Sequence, residues 1–299
     1  MTGGSPALAA LRPLLTEVGD AKRVRVAGRA GSLAEQAFAR AWGRLVAGED
    51  ATAVALSETA AAVARARLAG IDGTVLRTAG LGDDEARGVL QRGFDEVAGP
   101  LDAGLRSRLR EALPLADPAP EPPALTARLN AQPRAGATAP GVARVIVEPP
   151  ESHGDHCLTV AVYGVLVAPV FGADPVAPFL VGLAHHLHNV ALPDAGFAGE
   201  VLLGAALDRV LTTLEERELA ALPGELAERL RTVLRLRADA GAPESQAFHA
   251  ADVLDRVLQV HHHARAAAFT ASQALDDLEL VHAGPVQAFH LDVLAAAGL

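Results

Sequence analysis

The apolar positions of this chain repeat at helical spacing almost from end to end. From Pro6 to about Leu113, Ala, Leu and Val recur three and four residues apart, with Gly and Asp at the breaks. That period places one face of a helix on a core. Ser32 stands just before the run Leu33 to Val46 and Glu35 lies in its first turn, the signature of a capped N-terminus. Thr59 to Leu68 and Asp83 to Leu90 read as further helices. Leu113 to Pro123 (L-P-L-A-D-P-A-P-E-P-P) then holds five prolines and cannot be helical. A short segment, Ala124 to Asn130, and an irregular stretch up to Pro150 follow. Strand-type alternation shows only briefly, from Val142 to Val147. Helical periodicity then returns and lasts to the C-terminus, broken near Pro193, Pro223, Gly241 and Gly284. The expectation is an all-α protein with a helical N-terminal domain over 1–113, a Pro-rich linker over 114–123 and a larger helical domain over 124–299.

Composition agrees, since half of the residues are hydrophobic and only 3% are aromatic; Ala and Leu favour helices at little entropic cost. The single Lys22 stands against 25 Arg, which reads as the codon bias of a GC-rich genome with no function attached. Cys157 is the only cysteine, so no intrachain disulfide can form, and its apolar neighbours suit a buried, inert thiol. No basic stretch precedes an apolar core at the start, and a cytoplasmic location is expected. The apolar run Cys157 to Phe171 is shorter than the roughly 18 residues of a good spanning segment, so it is expected as a core helix and no membrane is expected as a partner.

The net charge of −10 is lopsided. Residues 1–123 carry 15 basic and 16 acidic side chains, whereas residues 124–299 carry 11 and 20. Such a field disfavours a nucleic-acid polymer, and a small phosphorylated substrate would need a cation to offset the repulsion. All eleven histidines lie between His153 and His290, so chemistry belongs to the second half. The N-terminal helices offer packing, a partner surface or a homo-oligomer contact.

Three clusters stand out: P-E-S-H-G-D-H (Pro150 to His156), H-H-L-H-N-V-A-L-P-D (His185 to Asp194), and P-E-S-Q-A-F-H-A-A-D-V-L-D-R-V-L-Q (Pro243 to Gln259). Each alone is weak, because a lone histidine at a helix end is usually a cap or a satisfied polar group. The triplet His261–His263 cannot share one helix face, since successive residues point about 100° apart. His153 and His249, one turn before His156 and Asp252, read as pocket liners or structural groups.

The order and spacing of the clusters resemble the HD-domain family of 5′-deoxynucleotidases and their relatives. Pro150, Glu151, Ser152 and His156 match the family's first motif, and His185 matches the histidine of its HD pair. Asp194 falls on a downstream acidic position, and Pro243, Glu244, Asp252, Leu258 and Gln259 match the third motif. Arg134 and Gly136 resemble an R-x-G-W segment, with Ala137 in place of the Trp. The resemblance covers most of residues 125–265. It implies an HD-domain-like helical bundle holding a divalent transition metal (Mn, Co, Fe, Ni or Zn) on His156, His185, His186 and Asp252. Asp194 and His188 would handle protons, and Arg134 and Asn189 would bind substrate.

Two positions depart from the family: His186 replaces the Asp of the HD pair, and Asn189 replaces a Glu of the acid–base machinery. Imidazole remains a good ligand for a borderline metal, but an amide neither takes nor gives a proton at neutral pH. The expected function is therefore a metal-dependent phosphohydrolase acting on a nucleotide or other small phosphomonoester. The alternative is a catalytically degenerate HD domain that binds a ligand or a partner protein. A di-iron oxygenase of the same type is disfavoured, because residues 190–248 contain no histidine. Gly31 to Val46 also loosely echoes Glu151 to Val167, with Gln36 where His156 would stand, so the N-terminal half can be read as a decayed copy.

Overall fold

The computed structural model describes residues 6–116, 120–146 and 148–268, and beyond these 288, 291, 292, 294 and 295. The break expected near Gly284, and Val147 at the end of the strand-like run, lie outside the described residues. The protein is all-α, as its periodicity predicts. In chain order the helices are α1 (Pro6–Gly19), α2 (Leu33–Val46), α3 (Ala51–Leu68), α4 (Gly73–Thr78), α5 (Asp83–Val97), α6 (Ala103–Glu111) and α7 (Ala124–Ala131). A two-stranded antiparallel hairpin follows, β1 (Ala137–Ala139) and β2 (Val142–Val145), with Ala137 opposite Val145. Then come α8 (His153–Phe171), α9 (Val176–Ala184), α10 (Gly196–Leu203), α11 (Leu207–Leu219), α12 (Gly224–Leu236) and α13 (Pro243–Ala268).

Helix α8 is apolar on every side because every side is covered. It is long and apolar enough to cross a membrane by length and composition, yet most of it is buried inside the protein. Helices α1, α2, α3, α7 and α9 all pack on it. Each fully buried Val or Leu along it contributes about 1.5–3 kcal/mol. The crossing with α9 is tight: a Cβ on Gly182 would lie 2.5 Å from the Ala161 backbone. Only glycine fits there.

The expected division at residues 114–123 does not separate two cores. The chain up to Arg256 forms one compact unit, and Val257–Leu299 forms a second. Prolines end the helix at this point, but the segment still packs on the N-terminal helices. A Cβ on Gly73 would stand 1.9 Å from the Leu115 carbonyl oxygen. The Tyr163 hydroxyl of α8 donates to the Leu15 carbonyl of α1, and Phe38 and Trp42 of α2 are fully buried in the same unit. Helix breakers report where a helix stops, not where a core does.

Helices α2 and α8 begin with the same device. Ser32 caps α2 and Ser152 caps α8, and Glu35 and Asp155 close the respective capping boxes. Ser32 Oγ also donates to Asp155 Oδ1, joining the two helix starts. Gln36, the counterpart of His156 in the loose echo, donates to the carbonyls of Ala30 and Gly31, 3.3 Å away in each case.

Candidate metal centre

The start of α8 and the end of α9 bring three histidines together. His156 lies one turn into α8, while His185 and His186 follow the last residue of α9. Each offers a ring nitrogen, and these atoms all lie within 4.8 Å of one another. His156 Nε2 stands 3.2 Å from His185 Nε2 and 3.4 Å from Asp252 Oδ1 of α13. His156 thus has His185 and Asp252, both distant in the chain, near its Nε2.

What each ring does with its other nitrogen decides the chemistry. His156 Nδ1 is 2.8 Å from Asp255 Oδ2, His185 Nδ1 is 2.7 Å from the Gly182 carbonyl, and His186 Nδ1 is 2.7 Å from Asn189 Oδ1. All three partners only accept, so each Nδ1 carries the proton and donates. Burial first, then the neighbouring positive groups, holds His185 and His186 well below the ordinary histidine range, so their Nε2 atoms present lone pairs. The Nε2 atoms of His156 and His185 and the Asp252 Oδ1 oxygen thus face one another at about contact distance. Only a cation, a proton or a metal ion, satisfies such a point. Imidazole nitrogens with one carboxylate are a donor set suited to a borderline transition metal.

Asp252 is divided between two tasks. Its Oδ2 pairs with Arg256 Nη2 at 2.9 Å, which leaves Oδ1 toward His156. Burial alone would raise this carboxyl, but the facing His156 and His185, and then Arg256, hold it below the usual carboxylate range.

His186 and Asn189 are bonded to each other. Asn189 Nδ2 donates to the Leu192 carbonyl at 3.0 Å, which turns Oδ1 toward the His186 ring. Asn189 therefore fixes the orientation of His186. A Glu in that place could not anchor its side chain to the Leu192 carbonyl by an N–H. On the other side of the ring, Arg134 Nη1 donates to His186 Nε2 at 2.7 Å. Arg134 reaches the site because residues 132–134 pair with 151–153, with Arg134 N–H on the Glu151 carbonyl at 2.8 Å.

Asp194 sits at the edge of the cluster and serves the backbone. Its Oδ2 accepts from Ala135 N–H and its Oδ1 from Gly196 N–H, both at 2.9 Å. Burial would raise its carboxyl, yet these donors and Arg134 hold it below its ordinary value. His153 faces it: Nε2 is 3.6 Å from Asp194 Oδ2, while Nδ1 is tied to the Gln132 carbonyl at 3.0 Å. His153 is fully buried, and burial, followed by Arg134, lowers it to about 4. Its Nε2 has no hydrogen-bond partner among the described residues. His188 lies behind the cluster, its ring 5.5 Å from that of His186 and its pKa lowered to about 4 by burial and then Arg237. His249 points elsewhere, with Nε2 on the Arg237 carbonyl at 2.9 Å.

Sequence reasoning missed two residues and underweighted a third. Asp255, buried on α13, holds the His156 ring, and Lys22, buried in the turn after α1, holds Asp255. The helical signal for Asp255 was present, since it follows Asp252 by three residues and shares its face. Lys22 has no local signal beyond being the one lysine in an arginine-rich chain. His153, a pocket liner by its position in the sequence, carries an unpartnered nitrogen. Comparison with known protein families, with curated proteins and with solved structures finds no match for this chain.

Proposed function

We propose that this chain is a metal-dependent phosphohydrolase of the HD type, acting on a nucleotide or another small phosphomonoester. The observation that supports the reading is the approach of His156, His185 and His186, whose ring nitrogens lie within 4.8 Å of one another, with Asp252 Oδ1 3.4 Å from His156 Nε2; His186 Nε2 accepts from Arg134 and would exchange that bond for the ion. A divalent ion held by these four residues would supply Lewis acidity to the phosphoryl group.

The surrounding residues have separate work. Arg134 spends one N–H on His186 and keeps further donors of its planar fork for two phosphate oxygens. His153 Nε2 and Asp194 Oδ2 are acceptors 3.6 Å apart. Together they can take both hydrogens of one water and turn its lone pairs outward. His153, neutral at pH 7 with an unshared Nε2, is the better proton acceptor of the two, because Asp194 is already stabilised by two backbone donors. This pair replaces the carboxylate that Asn189 lacks. His188, its ring 5.5 Å from that of His186, would assist proton transfer at the edge of the site.

The second reading, a ligand-binding HD domain without turnover, is favoured by one fact: Asn189 is committed to His186 and offers no base. A panel of nucleoside monophosphates and sugar phosphates, assayed with Mn, Co and Zn, separates the two. The enzyme reading expects metal-stimulated phosphate release, with Arg134→Ala raising KM about tenfold or more through loss of a charge-assisted contact. Metal uptake without phosphate release from any substrate would favour the binding module.

A further inference from the structure

Lys22 comes from the short turn Asp20–Lys22 after α1, far in sequence from every candidate ligand, and its side chain is only 3% exposed. Its ammonium pairs with both Glu151 Oε1 and Asp255 Oδ1. The other oxygen of Asp255 accepts from His156 Nδ1 at 2.8 Å. Lys22, Asp255 and His156 thus form a continuous buried line that ends at Nε2, the atom facing His185 and Asp252. Glu151, His156 and Asp255 also form a second group whose donor atoms lie within 4.8 Å of one another, but the ammonium already fills it.

Three buried charges in contact are costly to desolvate and are retained only when mutually paired. Burial opposes the Lys22 charge, yet Asp255 and Glu151 outweigh it and hold the ammonium above its ordinary pKa. Asp255 is buried as well, its side chain 2% exposed, and Lys22 Nζ and His156 Nδ1 each hold one of its oxygens. Without the lysine, Asp255 would face Glu151 in a nearly dry space with no counter-ion. The arrangement has the form of a carboxylate behind a ligating histidine, which fixes the ring's tautomer and direction.

We propose that Lys22 is a positioning residue for metal binding: its ammonium fixes one oxygen of Asp255, and the other oxygen in turn holds the His156 ring with Nε2 toward His185 and Asp252. The inference rests on the metal reading above. It also makes the N-terminal helices a working part of the centre rather than a separate module, since they deliver the cation.

The test is a double-mutant cycle on metal affinity, measured calorimetrically with Zn or Co on the metal-free full chain, with circular-dichroism melts beside it. Lys22→Met keeps length and removes charge; Asp255→Asn keeps size and an acceptor oxygen. Each is expected to weaken the affinity of the folded protein 10–100-fold, the usual cost of losing the partner behind a ligating histidine. The double variant should be no weaker than the worse single variant, because both act along one line. A purely structural Lys22 would lower the melting temperature and leave the affinity of the folded fraction unchanged, which overturns the proposal, as would fully additive losses. Should Lys22→Met show no cooperative melt, the Asp255→Asn arm decides: a 10–100-fold loss supports the proposal and unchanged affinity overturns it. A wild-type chain that takes up no metal overturns the metal reading and this inference together, an outcome distinct from tight wild-type binding that the variants leave untouched.

Discussion

Replacing Asp252 by alanine is expected to weaken binding of a divalent transition metal about 100-fold or more while the helical fold survives. The asymmetry follows from the two oxygens of this carboxylate. Oδ1 faces His156 Nε2 at 3.4 Å, and its removal deletes the one anionic donor of the set. Oδ2 pairs with Arg256, whose side chain is 55% exposed and is left in water rather than stranded, so the lost pair costs at most about 1 kcal/mol. The affinity loss should exceed the 10–100-fold typical of groups that only support a ligand. Calorimetric titration and a melt of the same sample check both halves. Unchanged metal affinity in the alanine variant would remove Asp252 from the site. Phosphohydrolase activity, where present, should fall in parallel, and Asp252→Asn should fail to restore it because an amide brings no charge.

The second large effect is acid sensitivity of the metal-free protein. Burial holds His153 and His188 at about 4, and His185 and His186 well below the ordinary value of 6.5. The unfolded chain titrates these groups near 6.5. Between pH 6.5 and about 4 the unfolded state therefore binds up to four protons that the folded state refuses, and stability falls as pH falls. Each fully displaced proton contributes a slope of about 1.4 kcal/mol per pH unit. Asp155 works the other way: burial pushes its carboxyl up to about 6. From pH 6 down toward 3.8 the folded state gains one proton that the unfolded state does not, which offsets roughly one histidine. Below 3.8, Asp252 and Asp255, both held under the ordinary carboxylate value, add to the loss. Urea midpoints at pH 7, 6 and 5 should therefore drop steadily. A flat profile over that range would mean the cluster is not neutral in the folded chain. Added metal should raise the midpoint more at pH 7 than at pH 5, because protons compete for the same lone pairs.

How much of this was legible in the sequence depends on whether the signal was local. The helices were, because their periodicity and their Ser32 and Ser152 caps are written within single turns. His156, His185 and Asp252 were legible only through the order and spacing of three motifs, since nothing local tells a ligand from a capping histidine. The bond between Asn189 and His186 spans three residues, yet neither residue type points to the other, because histidine and asparagine both find many other partners at a helix end. Lys22 was out of reach: its partners lie 129 and 233 residues away, and burial of a charge is a property of the folded core alone. The division at 114–123 misled for a related reason. Proline chemistry is local, whereas the packing of α1, α2 and α3 on α8 is not.

The central claim is that the imidazoles of His156, His185 and His186 converge with Asp252 on a place for one cation. Cobalt(II) titration of the metal-free full chain, followed by visible absorption and by elemental analysis of the loaded protein, addresses it directly. The account predicts one equivalent bound, with the strong ligand-field bands of a nitrogen-rich site of low coordination number, and their loss in His185→Gln. A chain that takes up no cobalt near stoichiometric concentration, or whose spectrum survives that substitution, would contradict it.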